Sequence, residues 1–109
     1  MALFLPTIRG MATYVLTDPR TGKPRYVGST KLTLAQRLAG HLVSPVSVDV
    51  WTWIIDLKRV RLTPLIEWVD RSDNPNGERD AILTFRQEGA DLLNRNVPAW
   101  IRPERLLPL

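Results

Sequence analysis

Tyr14 and Tyr26 are the only tyrosines of this 109-residue chain, and His41 is its only histidine. All three fall within residues 14–41, together with Arg37, one helical turn before His41. A packing role gives no reason to concentrate the scarce titratable side chains in this way. A small active site does. Phenol and imidazole are proton-transfer groups, and an arginine offers a bidentate fork to phosphate. Glu78 is the fifth residue of interest. On a helical wheel it shares a sector with Ala81, Ile82 and Phe85, where a carboxylate is costly unless it is paired, caps the helix or holds a metal. A place in the first helical turn favours the cap, through the helix dipole and the free amides. A metal ligand is the alternative.

Charge points to the same segment. The net charge is +4, with six basic side chains against one acid in residues 1–48 and nine against ten in residues 49–109. The positive excess therefore coincides with the tyrosines. Arginine outnumbers lysine twelve to three. A polyanion such as nucleic acid suits this balance, and so does a basic protein with a solvated face.

The elements that must position these residues follow from local chemistry. Residues 11–17 are β-branched and aromatic and read as a strand. Residues 18–24 are turn chemistry, punctuated by Pro and Gly. Residues 25–28 form a second strand, so the pair makes a hairpin with a basic loop, ended by Gly28-Ser29-Thr30. Thr33 can cap a helix running to about residue 42. Its apolar arc is Leu34, Ala35, Leu38, Ala39 and Leu42. Arg37 and His41 lie one above the other at the edge of that arc, from where they reach a cleft against the hairpin. Ser44-Pro45 breaks the helix. Ser47 can cap a second one, through Lys58, with Asp49, Thr52, Asp56 and Arg59 as its exposed stripe and Trp51, Trp53, Ile54 and Ile55 mostly in the core. Residues 62–69 read as a third strand, which Pro64 demotes to an edge. A polar loop over 70–77 leads to a third helix over about 78–88, stopped by Gly89. The tail from Val97 holds Pro98, Pro103 and Pro108, with Trp100 and Leu106-Leu107 as anchors.

Composition bounds the rest. The length suits one domain over residues 1–109, and 44 % apolar content is ordinary for a globular protein. No apolar run approaches the ~20 residues that span a bilayer. The apolar start, residues 2–5, is broken by Pro6 and lacks a basic flank, against a signal peptide. Cysteine is absent, which removes disulfides, thiol nucleophiles and cysteine-held zinc. One histidine argues against a histidine-based zinc site. A cytoplasmic protein without membrane contact is expected.

Tyr14, Tyr26-Val27-Gly28-Ser29-Thr30, Arg37, His41, the lone helical Glu78 and Leu92-Leu93-Asn94, in this order and spacing, resemble the GIY-YIG endonuclease domain. The resemblance covers about residues 10–96, leaving 97–109 as a tail. No single element is specific; the ordered set is. The family's first Gly-Ile-Tyr is Ala12-Thr13-Tyr14 here, and Val27 replaces an isoleucine. The resemblance implies an α+β fold: a small three-stranded antiparallel sheet flanked by helices in the order β-β-α-α-β-α.

It also implies a metal-dependent enzyme that cuts DNA, with RNA not excluded, leaving a 5′ phosphate and a 3′ hydroxyl. Glu78 would hold one divalent ion, Mg²⁺ or Mn²⁺, as a hard oxygen ligand. Arg37 would clamp a non-bridging phosphate oxygen as charge develops. Tyr14 is the favoured general base, with Tyr26 positioning water or phosphate. Because a free tyrosine has a pKa near 10, a neighbouring cation must lower it or His41 must take the proton onward. Ser29 and Thr30 are turn residues and then phosphate donors. Gly28, Lys31 and Arg25 belong to the substrate side, the last two as phosphate-positioning groups. Asn94 buttresses the site. Specificity would come from the module itself, from a homodimer or from a recruiting partner. The alternative is a catalytically inactive nucleic-acid-binding or partner-docking module of the same fold.

Overall fold

A computed structural model describes residues 11–44 and 46–94. The apolar start at 2–5, Pro45 and the tail with Trp100 and Leu106-Leu107 lie outside the described residues. The order is β1 (Ala12–Thr17), β2 (Pro24–Thr30), α1 (Leu34–Val43), α2 (Val48–Arg59), β3 (Leu65–Asp70) and α3 (Gly77–Gln87). The three strands form one antiparallel sheet in the order β2-β1-β3. This is an α+β fold with β1 at the centre and two edges. No single described helix is long and apolar enough to cross a membrane.

Strand alternation assigns the two faces of the sheet. Tyr14 pairs with Gly28 and Trp68, and Leu16 with Tyr26 and Ile66. These side chains pack with Leu34, Leu38 and Leu42 of α1 and with Val50, Trp53, Ile54 and Leu57 of α2. On the opposite face Val15 and Val27 pack with Ala81, Ile82 and Phe85 of α3 and with Leu92. Each helix thus buries one stripe against one sheet face, the arrangement that removes most apolar area from water.

Local chemistry sets the boundaries. Thr33 accepts from the Gln36 amide while the Gln36 side chain accepts from the Thr33 amide, a capping box that starts α1. Ser47 accepts from the Val50 amide and starts α2. Gly89, at φ +92°, follows α3 in the left-handed region that ends helices. β2 runs to Thr30, so Gly28-Ser29-Thr30 are the last three residues of the strand and not a turn that follows it. β3 starts at Leu65, after the buried Pro64, and lies at an edge. Its pairing with β1 shifts register between Thr13↔Asp70 and Tyr14↔Trp68, a bulge at Val69.

The apolar arc of α1 differs from the hydrophobic count. Ala35 and Ala39 are exposed, whereas Leu34, Arg37, Leu38 and Leu42 are half-buried and His41 is fully buried. Arg37 and His41 are not at the margin of the stripe but inside it. The physical reason is a polar partner on the sheet, the Tyr14 hydroxyl, which alternation places directly beneath α1.

Candidate active site

The site gathers at the end of the sheet where β1 begins and β2 and β3 end. Tyr14 is its centre and is 0 % exposed. Its hydroxyl lies 2.6 Å from His41 Nε2 and accepts from Arg37 Nε at 3.0 Å. The Arg37 guanidinium carbon is 5.9 Å from the Tyr14 ring centroid. Tyr26 completes the group: its ring is 6.5 Å from Tyr14 and edge-on to His41 at 5.5 Å. Tyr26 is half-buried and keeps an open side.

Burial dominates the titration of all three rings. It pushes the Tyr14 phenol up to about 12 against the lowering charge of Arg37. Burial also raises Tyr26, with the Glu78 charge adding to it and Arg37 opposing. It lowers His41 to about 4, with the Arg37 charge acting in the same direction. His41 is therefore held in its neutral form at neutral pH, which disfavours its carrying a proton onward. Its role here is a fixed hydrogen-bond partner. With the Tyr14 hydroxyl donating to Nε2, the imidazole proton sits on Nδ1, which has no partner among the described residues.

Arg37 spends its Nε on Tyr14, and its two terminal nitrogens have no hydrogen-bond partner among the described residues. A guanidinium anchored at one corner presents the other edge as a preset fork.

Glu78 comes from the other sheet face. Gly77 makes this possible: a Cβ there would sit 2.5 Å from the Thr13 hydroxyl, so only a bare Cα lets the first turn of α3 settle on β1. Thr13 and Ser29 are register partners, and Ser29 donates to Glu78 Oε1 at 2.7 Å. The carboxylate neither caps α3 nor pairs with a base among the described residues. Its charge acts on both phenols across the end of the sheet. The Thr13–Gly77 fit was invisible beforehand; the Asn76-Gly77 pair signalled only a turn.

The remaining expected residues divide. Gly28 is a steric clearance under Tyr14, since a Cβ would lie 2.6 Å from Tyr14 Cζ. Thr30 is buried and its hydroxyl accepts from the Leu32 amide, which ties it to the turn after β2. Lys31 is exposed at the end of β2. Arg25 is drawn away from the site, held by the Asp91 carboxylate and backbone carbonyl. Asn94 accepts from the Val27 amide and donates to the Val27 carbonyl, so its side chain pairs with the free edge of β2 as a strand would. It supports the site from behind and touches none of the reacting groups. A cleft of about 860 Å³ lies elsewhere, between the β1–β2 turn, α2 and the end of α3; of the expected residues it includes only Arg25.

No family model, curated protein or solved structure matches this chain.

Among the described residues no three His, Cys, Asp or Glu side chains come together, so any ion here would not sit in an all-protein cage. Glu78 offers one carboxylate with Oε1 fixed by Ser29 and Oε2 without a hydrogen bond among the described residues. One carboxylate plus waters and substrate phosphate is a donor set that Mg²⁺ accepts.

Proposed function

We propose that this chain is a metal-dependent endonuclease that hydrolyses DNA phosphodiester bonds, as its resemblance to the GIY-YIG domain implies. The observation that carries this reading is Arg37: its Nε is pinned by a buried tyrosine, and its charge acts on a second tyrosine that the Glu78 carboxylate also reaches.

The burial of Tyr14 shifts the proton-taking role to Tyr26. A general base must reach water within hydrogen-bond distance. Tyr14 has no exposed surface, and its hydroxyl is committed to His41 and Arg37. Tyr14 is a positioning residue: His41 fixes its hydroxyl, and the hydroxyl fixes Arg37. Tyr26, in its phenolate form, takes the proton of the attacking water. The water oxygen bonds to phosphorus, the bond to the 3′ oxygen breaks, and the departing 3′ oxygen takes a proton from solvent water to become the 3′ hydroxyl. Arg37 binds a non-bridging oxygen more tightly as negative charge grows there, which accelerates the step. Glu78 would hold Mg²⁺ or Mn²⁺ through Oε2. Bound there, the ion supplies Lewis-acid stabilisation of the phosphate and the leaving oxygen. The products are a 5′ phosphate and a 3′ hydroxyl.

The phenol pKa decides the pH dependence. An unperturbed tyrosine is about one part in a thousand ionised at pH 7, and Tyr26 is shifted upward from there. The phenolate fraction therefore rises about tenfold per pH unit throughout the neutral-to-alkaline range. Single-turnover cleavage of a DNA duplex is expected to climb from neutral pH to about pH 9 without a plateau. Tyr26→Phe should lose both the rate and the slope. Tyr14→Phe should lose rate through a misplaced Arg37 and keep the slope. A flat wild-type profile with chemistry rate-limiting would sink the tyrosine base.

A further inference from the structure

Arg71 follows β3 and rests on the indole of Trp68, its guanidinium carbon 5.3 Å from the ring centroid. Trp68 is the register partner of Tyr14, whose hydroxyl holds Arg37 with the guanidinium carbon 5.9 Å from the ring centroid. Two guanidiniums thus lie against neighbouring aromatic residues of adjacent strands, which are about 4.8 Å apart. The bulge at Val69 separates Trp68 from Asp70 at this end of β3, and bulges commonly re-aim side chains beside functional sites.

Its rest on an aromatic ring distinguishes Arg71 from Arg61, which is likewise exposed and without an ion pair among the described residues. Arg20, Arg25, Arg59 and Arg79 each pair with an aspartate. Arg71 is exposed and has no ion pair among the described residues. Neighbouring Asp70 commits its carboxylate to Ser72 and Asn74. An uncompensated guanidinium restrained on an aromatic face loses little freedom when it meets an anion.

We propose that Arg71 is a second phosphate contact, neutralising a phosphate that flanks the one held at Arg37 and leading the DNA strand across the sheet end toward β3. The ligand rests on the nuclease reading; the residue and the path do not come from the family pattern. Trp68 is the positioning residue that holds the guanidinium.

The test is equilibrium binding of the full chain to a short labelled DNA duplex in EDTA, so that nothing is cut, across a salt series. Arg71→Ala is expected to weaken binding roughly 3- to 10-fold at physiological salt and to make the slope of log K against log salt shallower by about 0.9, one phosphate's worth. Arg71→Lys should restore the slope. Arg59→Ala, a surface arginine paired with Asp56, should leave it unchanged. An Arg71→Ala protein with wild-type affinity and slope overturns the contact, as does an equal loss in Arg59→Ala, which would reduce the effect to net charge. If wild type binds and nicks DNA but Arg71→Ala behaves like it, only this inference fails. If wild type does not bind DNA at all, the nuclease reading fails with it.

Discussion

At Gly28 the side chain that is missing matters more than any that is present. Tyr14 lies against the bare Cα of its register partner, with Cζ 2.6 Å from where a Cβ would be. Tyr14 cannot swing aside, because His41 and Arg37 hold its hydroxyl. Gly28→Ala should therefore destabilise the fold by roughly 1–3 kcal/mol, the usual range for overpacking, read by urea denaturation. Its nicking activity should fall further than stability explains, because the phenol that holds Arg37 is displaced; a variant with wild-type stability and rate would refute the clearance role. The residues of this cluster were legible in the sequence by type and order. Their division of labour was not. Which of two tyrosines is buried depends on which strand lies at the centre of the sheet, and no spacing along the chain encodes that.

At the scale of elements, α1 shows how far periodicity reaches. Its start, its cap and its length follow from Thr33, Gln36 and the apolar spacing. Its buried face does not, because counting apolar residues places Ala35 and Ala39 inward and cannot know that Tyr14 offers a polar partner to His41. That burial has a measurable consequence. His41 titrates near 4 in the fold against an ordinary 6.5, so its folded pKa is depressed. The corresponding stability is present above pH 6.5 and is lost as pH falls toward 4, because the unfolded chain binds the proton first. The loss amounts to roughly 3 kcal/mol. Denaturation at stepped pH values should show this decline, and His41→Gln should flatten that window while lowering stability overall. A wild-type stability constant from pH 7 to 4 would contradict a buried neutral imidazole. The strand ends were legible only to within a few residues. Gly28-Ser29-Thr30 carries turn chemistry, yet pairing with Ala12, Thr13 and Tyr14 keeps it in β2.

For the molecule as a whole, the sheet order is what turns scattered residues into a site. With β1 central, Tyr14 faces α1, Thr13 faces α3, and both begin at one end of the sheet. Helices on opposite faces can then supply Arg37 and His41 from one side and Glu78 from the other. The α+β class and the order of elements were legible in the hairpin signals and helix caps. The closure of α3 on β1 through Gly77 and Thr13 was not, since it depends on two surfaces meeting across 64 residues of chain. On the proposed function, this end of the sheet cleaves DNA. The most direct measurement is the conversion of supercoiled plasmid to the nicked form by the full chain with Mg²⁺ or Mn²⁺, beside Glu78→Ala and Arg37→Ala. Metal-dependent nicking by wild type is expected, with none above background by either variant. Nicking that survives both substitutions, or DNA binding without nicking at any metal concentration from neutral to alkaline pH, would contradict it.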